Sequence, residues 1–424
     1  MTIVDLPRSD PAPALRDRNR AVFGAAHFAK SLVWSSADLL FGYHASEVMG
    51  LSAAATGLLL TFTMLYSGVL DIVIAWALRT GEGRPEWTLK AQCVGGIATA
   101  AMLVLLFHPL AATPGMTFAY LAIMAVLFRT AYAVYDVAQN ALTSLLPLDH
   151  GDARAYVTMR MTLGATARLC IAGSAALITG VVAGGVGHGT IVTVPIAVLV
   201  AISAIRLARV RAPARAKPAS TMRLTLATGM MRPLSAAIAH AAGLTLLSRF
   251  LLFADARGTG HALGTTLLLS FVAGTVIGPI AAGRYGARIG STRIGIVLTA
   301  LTILGAVPLA VAPQATPSVA AALLYGFGLG GSGAMIWAAT SDAIRNHADR
   351  HGVRTDLYSF AALTATIKLS IALTGLAFGI LLDGFKRGDG ATAATIVAIT
   401  LAGGVGFLCA MRSSKQQIIC MITK

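Results

Sequence analysis

Nine ionisable side chains stand inside long apolar stretches: Lys30, Asp38, Asp71, Arg129, Asp136, Arg160, Arg168, Arg249 and Lys368. A charge held in hydrocarbon costs several kcal/mol, so each marks a binding or coupling role unless it reaches water or a partner. Asp71 and Asp136 lie about seven and about ten residues from the ends of their stretches, too deep for a short carboxylate to snorkel. Lys368 is central in Leu357–Leu382, with Thr364 and Thr366 before it and Ser370 after it, which predicts a buried partner or a solute. Arg160 is close to a helix start, from which its long stem can also reach lipid headgroups. Helical spacing puts Arg129 and Asp136 on one face about 10 Å apart, and Thr364 beside Lys368. Lys30 and Asp38 are a little over two turns apart. These faces offer both signs of charge near a membrane midplane. Asp342, near the end of its stretch, reads as a gating or loop contact.

The elements that must carry these groups are transmembrane helices. The chain has 424 residues, 56% apolar and 12% charged, against roughly 25% charged in a soluble domain. Apolar runs of about 20 residues are long enough to cross a bilayer. Twelve spans are predicted, near 21–45, 52–78, 89–111, 116–146, 157–184, 188–207, 232–255, 263–286, 292–313, 317–344, 357–384 and 390–411. The fold class is all-α, with a tail over 1–20, a six-helix half over 21–207, a basic linker over 208–231, a second half over 232–411 and a tail over 412–424. The polar, Arg-rich first twenty residues show no signal-peptide pattern, so the first helix is expected to act as its own insertion signal.

The net charge of +16 would suggest nucleic acid in a soluble protein, but most of the outer Lys and Arg lie between apolar segments and set topology. They gather in the N-terminal tail, the 79–90 loop, the linker (Arg209, Arg211, Arg215, Lys217, Arg223), Arg284/Arg288/Arg293 and Arg345/Arg350/Arg354. The opposite turns carry few, with Arg257 and Lys386–Arg387 diluting the asymmetry. Both termini are therefore expected in the cytoplasm, with the chain in the inner membrane. Cys93, Cys170, Cys409 and Cys420 have no metal or disulfide spacing and read as packing residues. No HExxH, GxSxG or Walker loop appears, and no soluble domain is large enough for ATP hydrolysis, so enzyme and pump readings lack their parts.

Two six-helix halves joined by a basic linker resemble the major facilitator superfamily, whose substrate site lies midway through the membrane. Gly283, Arg284, Arg288, Gly290 and Arg293 resemble its short Gly/Arg loop motif, with Ala287 where an Asp is usual; Arg288 thereby becomes a gating candidate. Within it the chain resembles the glycoside-pentoside-hexuronide:cation symporter family, of melibiose-permease type. The resemblance rests on Lys30 ahead of Met49-Gly50-Leu51-Ser52, Asp71, Tyr135-Asp136-Val137-Ala138-Gln139-Asn140-Ala141-Leu142, Arg160, Trp337-Ala338-Ala339-Thr340-Ser341-Asp342, and Thr364 with Lys368.

That resemblance implies substrate contacts at Lys30, Asp136, Asn140, Arg160, Thr364 and Lys368, with cation coupling through Asp71, Asp136 and Lys368. The departures alter the expected chemistry. Ser31 stands at a sugar-binding Asp, Ser67 at the first cation-site carboxylate, Ile72 at a Pro and Asn140 at a sugar-stacking Trp. A sodium ion wants several oxygen ligands, so a proton is the first expectation for the coupling ion, with sodium second and no other cofactor or metal. Burial raises a carboxyl's pKa and a nearby ammonium lowers it, which together bring titration toward physiological pH. Arg129, Arg168 and Arg249 have no placed counterpart. Arginine suits bidentate capture of carboxylate or phosphate, which admits an anionic solute with Arg129 and Arg249 as contacts. Alternatively, Arg168 and Arg249 pair internally with Asp38 or Asp255, or face an aqueous vestibule. The expected activity is symport of a sugar, glycoside or hexuronide-like solute by a monomer in a lipid bilayer, with a small-molecule solute and no nucleic acid as partner. The alternatives are transport of a non-sugar anionic or lipid-like solute, or a non-transporting sensor of the same fold.

Overall fold

The computed structural model describes residues 13–78, 85–108, 113–147, 150–179, 189–210, 226–257, 263–313, 317–351 and 356–412. In chain order the membrane elements are α1 (Pro13–Leu39, extended by Phe41–Tyr43 and a π turn His44–Val48), α2 (Ala53–Leu78), α3 (Pro85–Leu106), α4 (Pro114–Leu145), α5 (His150–Thr179) and α6 (Gly189–Ala208). They continue with α7 (Met231–Ile238 and its irregular extension to Arg257), α8 (Leu263–Ile289), α9 (Ser291–Val311), α10 (Ser318–His351), α11 (Asp356–Arg387) and α12 (Gly390–Met411). The tails before 13 and after 412, and 211–225 of the predicted linker, lie outside the described residues.

Among the described residues nine helices are long and apolar enough to cross a membrane by composition alone. The three membrane elements outside that set, α1, α5 and α7, are those that carry Lys30 and Asp38, Arg160 and Arg168, and Arg249. These three elements carry five of the nine interior charges; Asp71, Arg129, Asp136 and Lys368 ride on helices apolar enough to cross despite them. Helix α2 shows the resulting pattern. Its exposed stripe is Leu58, Phe62, Leu65, Val69, Ile72 and Trp76, while Thr56, Thr63, Ser67 and Asp71 are buried on the other side. The 3.6-residue period is that of an amphipathic helix with the polarity of its faces inverted.

Within the first six elements α1 packs on α5 and α6, and α3 on α4 and α6; within the last six α10 packs on α8 and α9, and α12 on α7 and α9. Two seams, α2 against α11 and α5 against α8, join the sets. At the first seam a Cβ on Gly57 would lie 2.5 Å from the Cα of Gly379 and 3.0 Å from the carbonyl oxygen of Gly375. Only glycine permits backbones to approach this closely. The end of the linker is pinned as well: the Ala227 N–H donates to the Ser359 hydroxyl at 3.2 Å, and the Thr228 N–H to His347 Nδ1 at 3.1 Å.

The predicted continuous span over 232–255 is replaced by an α-helical turn, a π segment Ala239–Leu244 and 3₁₀ turns Leu246–Arg249 and Leu251–Arg257. The break falls where Gly243 brings its backbone against Gly403 of α12. Hydroxyls take up carbonyls that regular helix geometry would have used: Tyr325 donates to Leu244, Thr245 to Ala241 and Ser248 to Thr245. Such re-satisfaction is what lets irregular backbone exist at membrane depth. The predicted loop after span eight also shrinks. Helix α8 runs to Ile289 and the chain turns on Gly290 alone, at φ +89°, a conformation that favours glycine. The cysteines differ from expectation too: Cys93 is half-buried, whereas Cys170 and Cys409 are exposed, and Cys420 lies outside the described residues.

Helix α12 begins on a side-chain cap. The Asp389 carboxylate accepts from the Thr392 hydroxyl at 2.7 Å, the Thr392 N–H at 3.0 Å and the Ala391 N–H at 3.3 Å. These hydrogen bonds, the Thr392 hydroxyl first, hold its carboxyl below the usual carboxylate range. A depressed folded-state value means the cap stabilises fully above the ordinary carboxylate pKa and weakens as pH falls through the lowered one. Asp389→Ala is expected to lower the Tm of purified protein at neutral pH, and Asp389→Asn to retain most of it, because Asn caps about as well as Asp.

Candidate functional site

Helix α1 carries Lys30, Trp34 and Asp38 four residues apart, which places all three on one face. The Lys30 ammonium donates to Asp136 Oδ1 at 2.7 Å and to Asn140 Oδ1 at 2.8 Å, both on α4. Asn140 and Asp136 are themselves one turn apart, and the Asn140 amide donates to the same carboxylate oxygen at 3.2 Å. From α11, Lys368 donates to Asp71 Oδ1 of α2 at 2.6 Å and lies 4.0 Å from Asp136 Oδ2. A charge chain, Asp71–Lys368–Asp136–Lys30, therefore runs through the bundle and crosses the α2–α11 seam. All four groups are buried, which removes the water that would screen them.

A second layer lies two turns along α1. Asp38 takes Arg168 of α5 at 3.4 Å and Arg249 of α7 at 3.6 Å, and the Arg249 Nε–H donates to Thr374 of α11 at 3.0 Å. Arg168 and Arg249 thus both pair with Asp38, one of the two acidic partners the sequence offered for them. Arg129 is 2% exposed, and its Nη1 has no hydrogen-bond partner among the described residues. Its guanidinium lies over Trp34 at 5.5 Å and Phe128 at 5.6 Å.

On α1 Trp34 lies between Lys30 and Asp38, one turn from each. Lys368 Nζ is 5.7 Å and the Arg129 guanidinium carbon 5.5 Å from its ring, and Tyr132 stacks against it at 5.7 Å. Arg160 of α5 reaches Trp337 of α10 at 5.4 Å, and Trp337 stacks on Phe360 at 5.9 Å. Thr364 is half-buried one turn before Lys368, its hydroxyl donating to the Ala361 carbonyl. Arg288 and Asp342 lie elsewhere: both are exposed, near the ends of α8 and α10 that face the same side as the start of α1.

In the first layer the buried Ser67 hydroxyl has no hydrogen-bond partner among the described residues. Ser67 and Asp71 are one turn apart on α2, so an acceptor and a hydroxyl share one face next to Lys368. No group of three His, Cys, Asp or Glu able to hold a metal occurs among the described residues. On the side away from the start of α1 the two sets of elements interlock. Lys386 donates to Glu47 at 2.6 Å and lies over Phe253 at 5.2 Å, and Tyr43 packs on Phe253 at 5.7 Å. Lys386, which diluted the charge asymmetry in sequence, is thus committed to a local ion pair.

Sequence reasoning passed over Trp34 and Tyr132. The signal was present: Trp34 is one turn from both Lys30 and Asp38, and Tyr132 falls between Arg129 and Asp136. Both aromatics lie against charged groups that had been singled out individually.

A family model described as MFS/sugar transport protein matches residues 22–402. No curated protein matches. Among solved structures, the nucleoside transporter NupG is similar with a TM-score of 0.64 at 12% identity, covering 93% of this chain and 100% of that one. A bacterial homologue of the iron transporter ferroportin in an outward-facing state gives 0.62 at 12% identity, covering 93% and 99%. A bacterial homolog of the human lysosomal transporter Spinster, inward-facing and unoccupied, gives 0.62 at 14% identity, covering 95% and 98%. At these identities the likeness is one of fold.

Proposed function

Because the chain belongs to the MFS/sugar transport protein family of the major facilitator superfamily, we propose that it is an alternating-access symporter, coupling a proton, ahead of sodium, to movement of a sugar, glycoside or hexuronide-like solute. The proposed setting is the inner membrane with both termini cytoplasmic, and the acting unit is the monomer. The observation that carries the reading is the buried Asp71–Lys368–Asp136–Lys30 chain, in which one ammonium from α11 serves carboxylates on α2 and α4.

The chemistry follows from that shared lysine. A proton arriving on Asp71 removes the charge that holds Lys368, and the ammonium then turns to Asp136, 4.0 Å away. Asp136 and Asn140 are the hydroxyl-binding pair, so Lys368 and the solute bear on the same carboxylate. Proton and solute are linked because each changes what Asp136 must balance. The Asp71 surroundings supply one ammonium-bound carboxylate and the Ser67 and Thr364 hydroxyls, few oxygens for a sodium ion and enough for a proton. Thr364 and Arg160 complete the polar lining.

Proteoliposomes with an imposed proton or sodium gradient test the reading directly. Solute accumulation driven by the proton gradient is expected, with Asp71→Asn reducing it about 10²-fold, the low end for losing a proton-transfer group. Full proton-driven uptake by Asp71→Asn would remove Asp71 from coupling, and absence of accumulation under either gradient would favour a sensor.

A further inference from the structure

The arginine layer carries more positive charge than the protein balances. At membrane depth the described residues place Lys30, Arg129, Arg160, Arg168, Arg249 and Lys368 against Asp38, Asp71 and Asp136. The lysines have their carboxylates, and Arg168 and Arg249 share Asp38. Arg160 is half-buried, rests on Trp337 and is not sealed from water. Arg129 differs from all of these. It is 2% exposed, no carboxylate of the described residues lies within ion-pair distance, and Nη1 makes no hydrogen bond.

The neighbours of the guanidinium are the Trp34 and Phe128 rings, at 5.5 and 5.6 Å. An aromatic neighbour balances only part of a full charge, whereas the N–H fork of arginine matches the two oxygens of a carboxylate or phosphate. A buried arginine left in this condition is completed by an anion from outside the protein.

We propose that Arg129 marks a separate subsite for an acidic group of the transported solute, with Arg129 as its bidentate holder and the Arg168–Asp38–Arg249 cluster near it. This rests on the transport reading above and deepens it. Arg129 and Asp136 are seven residues apart on α4, about 10 Å along the axis. The acidic group therefore sits about that far from the hydroxyls held by Asp136 and Asn140, which calls for a solute longer than one sugar ring, charged at one end.

The experiment measures Tm and affinity on the purified full-length protein with four probes: a neutral β-linked glucose disaccharide, the same disaccharide with one terminal carboxylate, acetate, and inorganic phosphate. At least about tenfold tighter binding of the carboxylated disaccharide is expected, the scale of one charge-assisted contact, with the ratio collapsing toward one in Arg129→Gln and partly recovered in Arg129→Lys. Ligand-free Arg129→Gln is expected to have a higher Tm than the wild type, because an unbalanced charge is gone; a scaffolding arginine would give a lower one. Equal affinity for the two disaccharides, an unchanged ratio in Arg129→Gln, or no response to any probe overturns the subsite. Response to acetate or phosphate but to neither disaccharide supports the subsite and overturns the sugar reading, and the stronger of the two anions decides between carboxylate and phosphate. The wild-type comparison decides by itself if Arg129→Gln does not fold.

Discussion

Lys368→Met is expected to abolish gradient-driven uptake and to lower stability by roughly 3–5 kcal/mol, the cost of leaving one member of a buried ion pair without its partner. Asp71 is fully buried and its only described ion-pair partner is the Lys368 ammonium, 2.6 Å away. Adding Asp71→Asn to Lys368→Met removes the stranded charge, so the double variant is expected to recover most of the lost stability and none of the transport. Thermal unfolding in detergent gives the first quantity and proteoliposome uptake the second. Recovery of neither would mean that Lys368 is needed for packing, against Trp34 at 5.7 Å and Tyr132 at 5.8 Å, more than for its charge. Recovery of both would mean that the pair is dispensable, and with it the coupling scheme.

The second large effect concerns the α2–α11 seam. A valine at position 57 would need space now filled by the Gly379 Cα and the Gly375 carbonyl, and overpacking of this kind costs about 1–3 kcal/mol. That cost falls only on the arrangement in which the seam is closed, so Gly57→Val is expected to shift the population away from it by about 10- to 100-fold. Uptake should fall by at least about tenfold, since a transporter that cannot close one side cannot complete its cycle. The Glu47–Lys386 contact gives the readout. With both positions replaced by cysteine, the yield of a short bifunctional thiol cross-linker should drop in the Gly57→Val background. An unchanged yield would show that the seam yields by local bending instead.

Much of the fold was legible because the physics that writes it is local. The apolar stripe of α2 and the Gly/Arg turn near Gly290 both follow from neighbours within a few residues. The depth of Asp71, Asp136 and Lys368 was legible for the same reason. Partner choice was not. Lys368 meets Asp71 across 297 residues of sequence, and no periodicity specifies such a pairing. Asp38 divides between arginines of two different elements, an outcome fixed by how α5 and α7 are brought to α1. The irregular course of α7 was hidden as well, because it depends on Gly403 and Tyr325, residues of other helices.

The three charge-bearing elements have a consequence for how the chain is made. A lysine or aspartate at the centre of a nascent segment disfavours its release from the translocation channel into lipid by roughly 2.5–3.5 kcal/mol. Lys30 must wait 106 residues for Asp136 to be synthesised, and Asp38 130 residues for Arg168. Helices α1, α5 and α7 are therefore poor substrates for one-at-a-time insertion. Insertion in company, with α1 beside its α4 partner, lowers that cost, so the same ion pairs that fill the interior of the finished protein bear on how its helices reach the membrane.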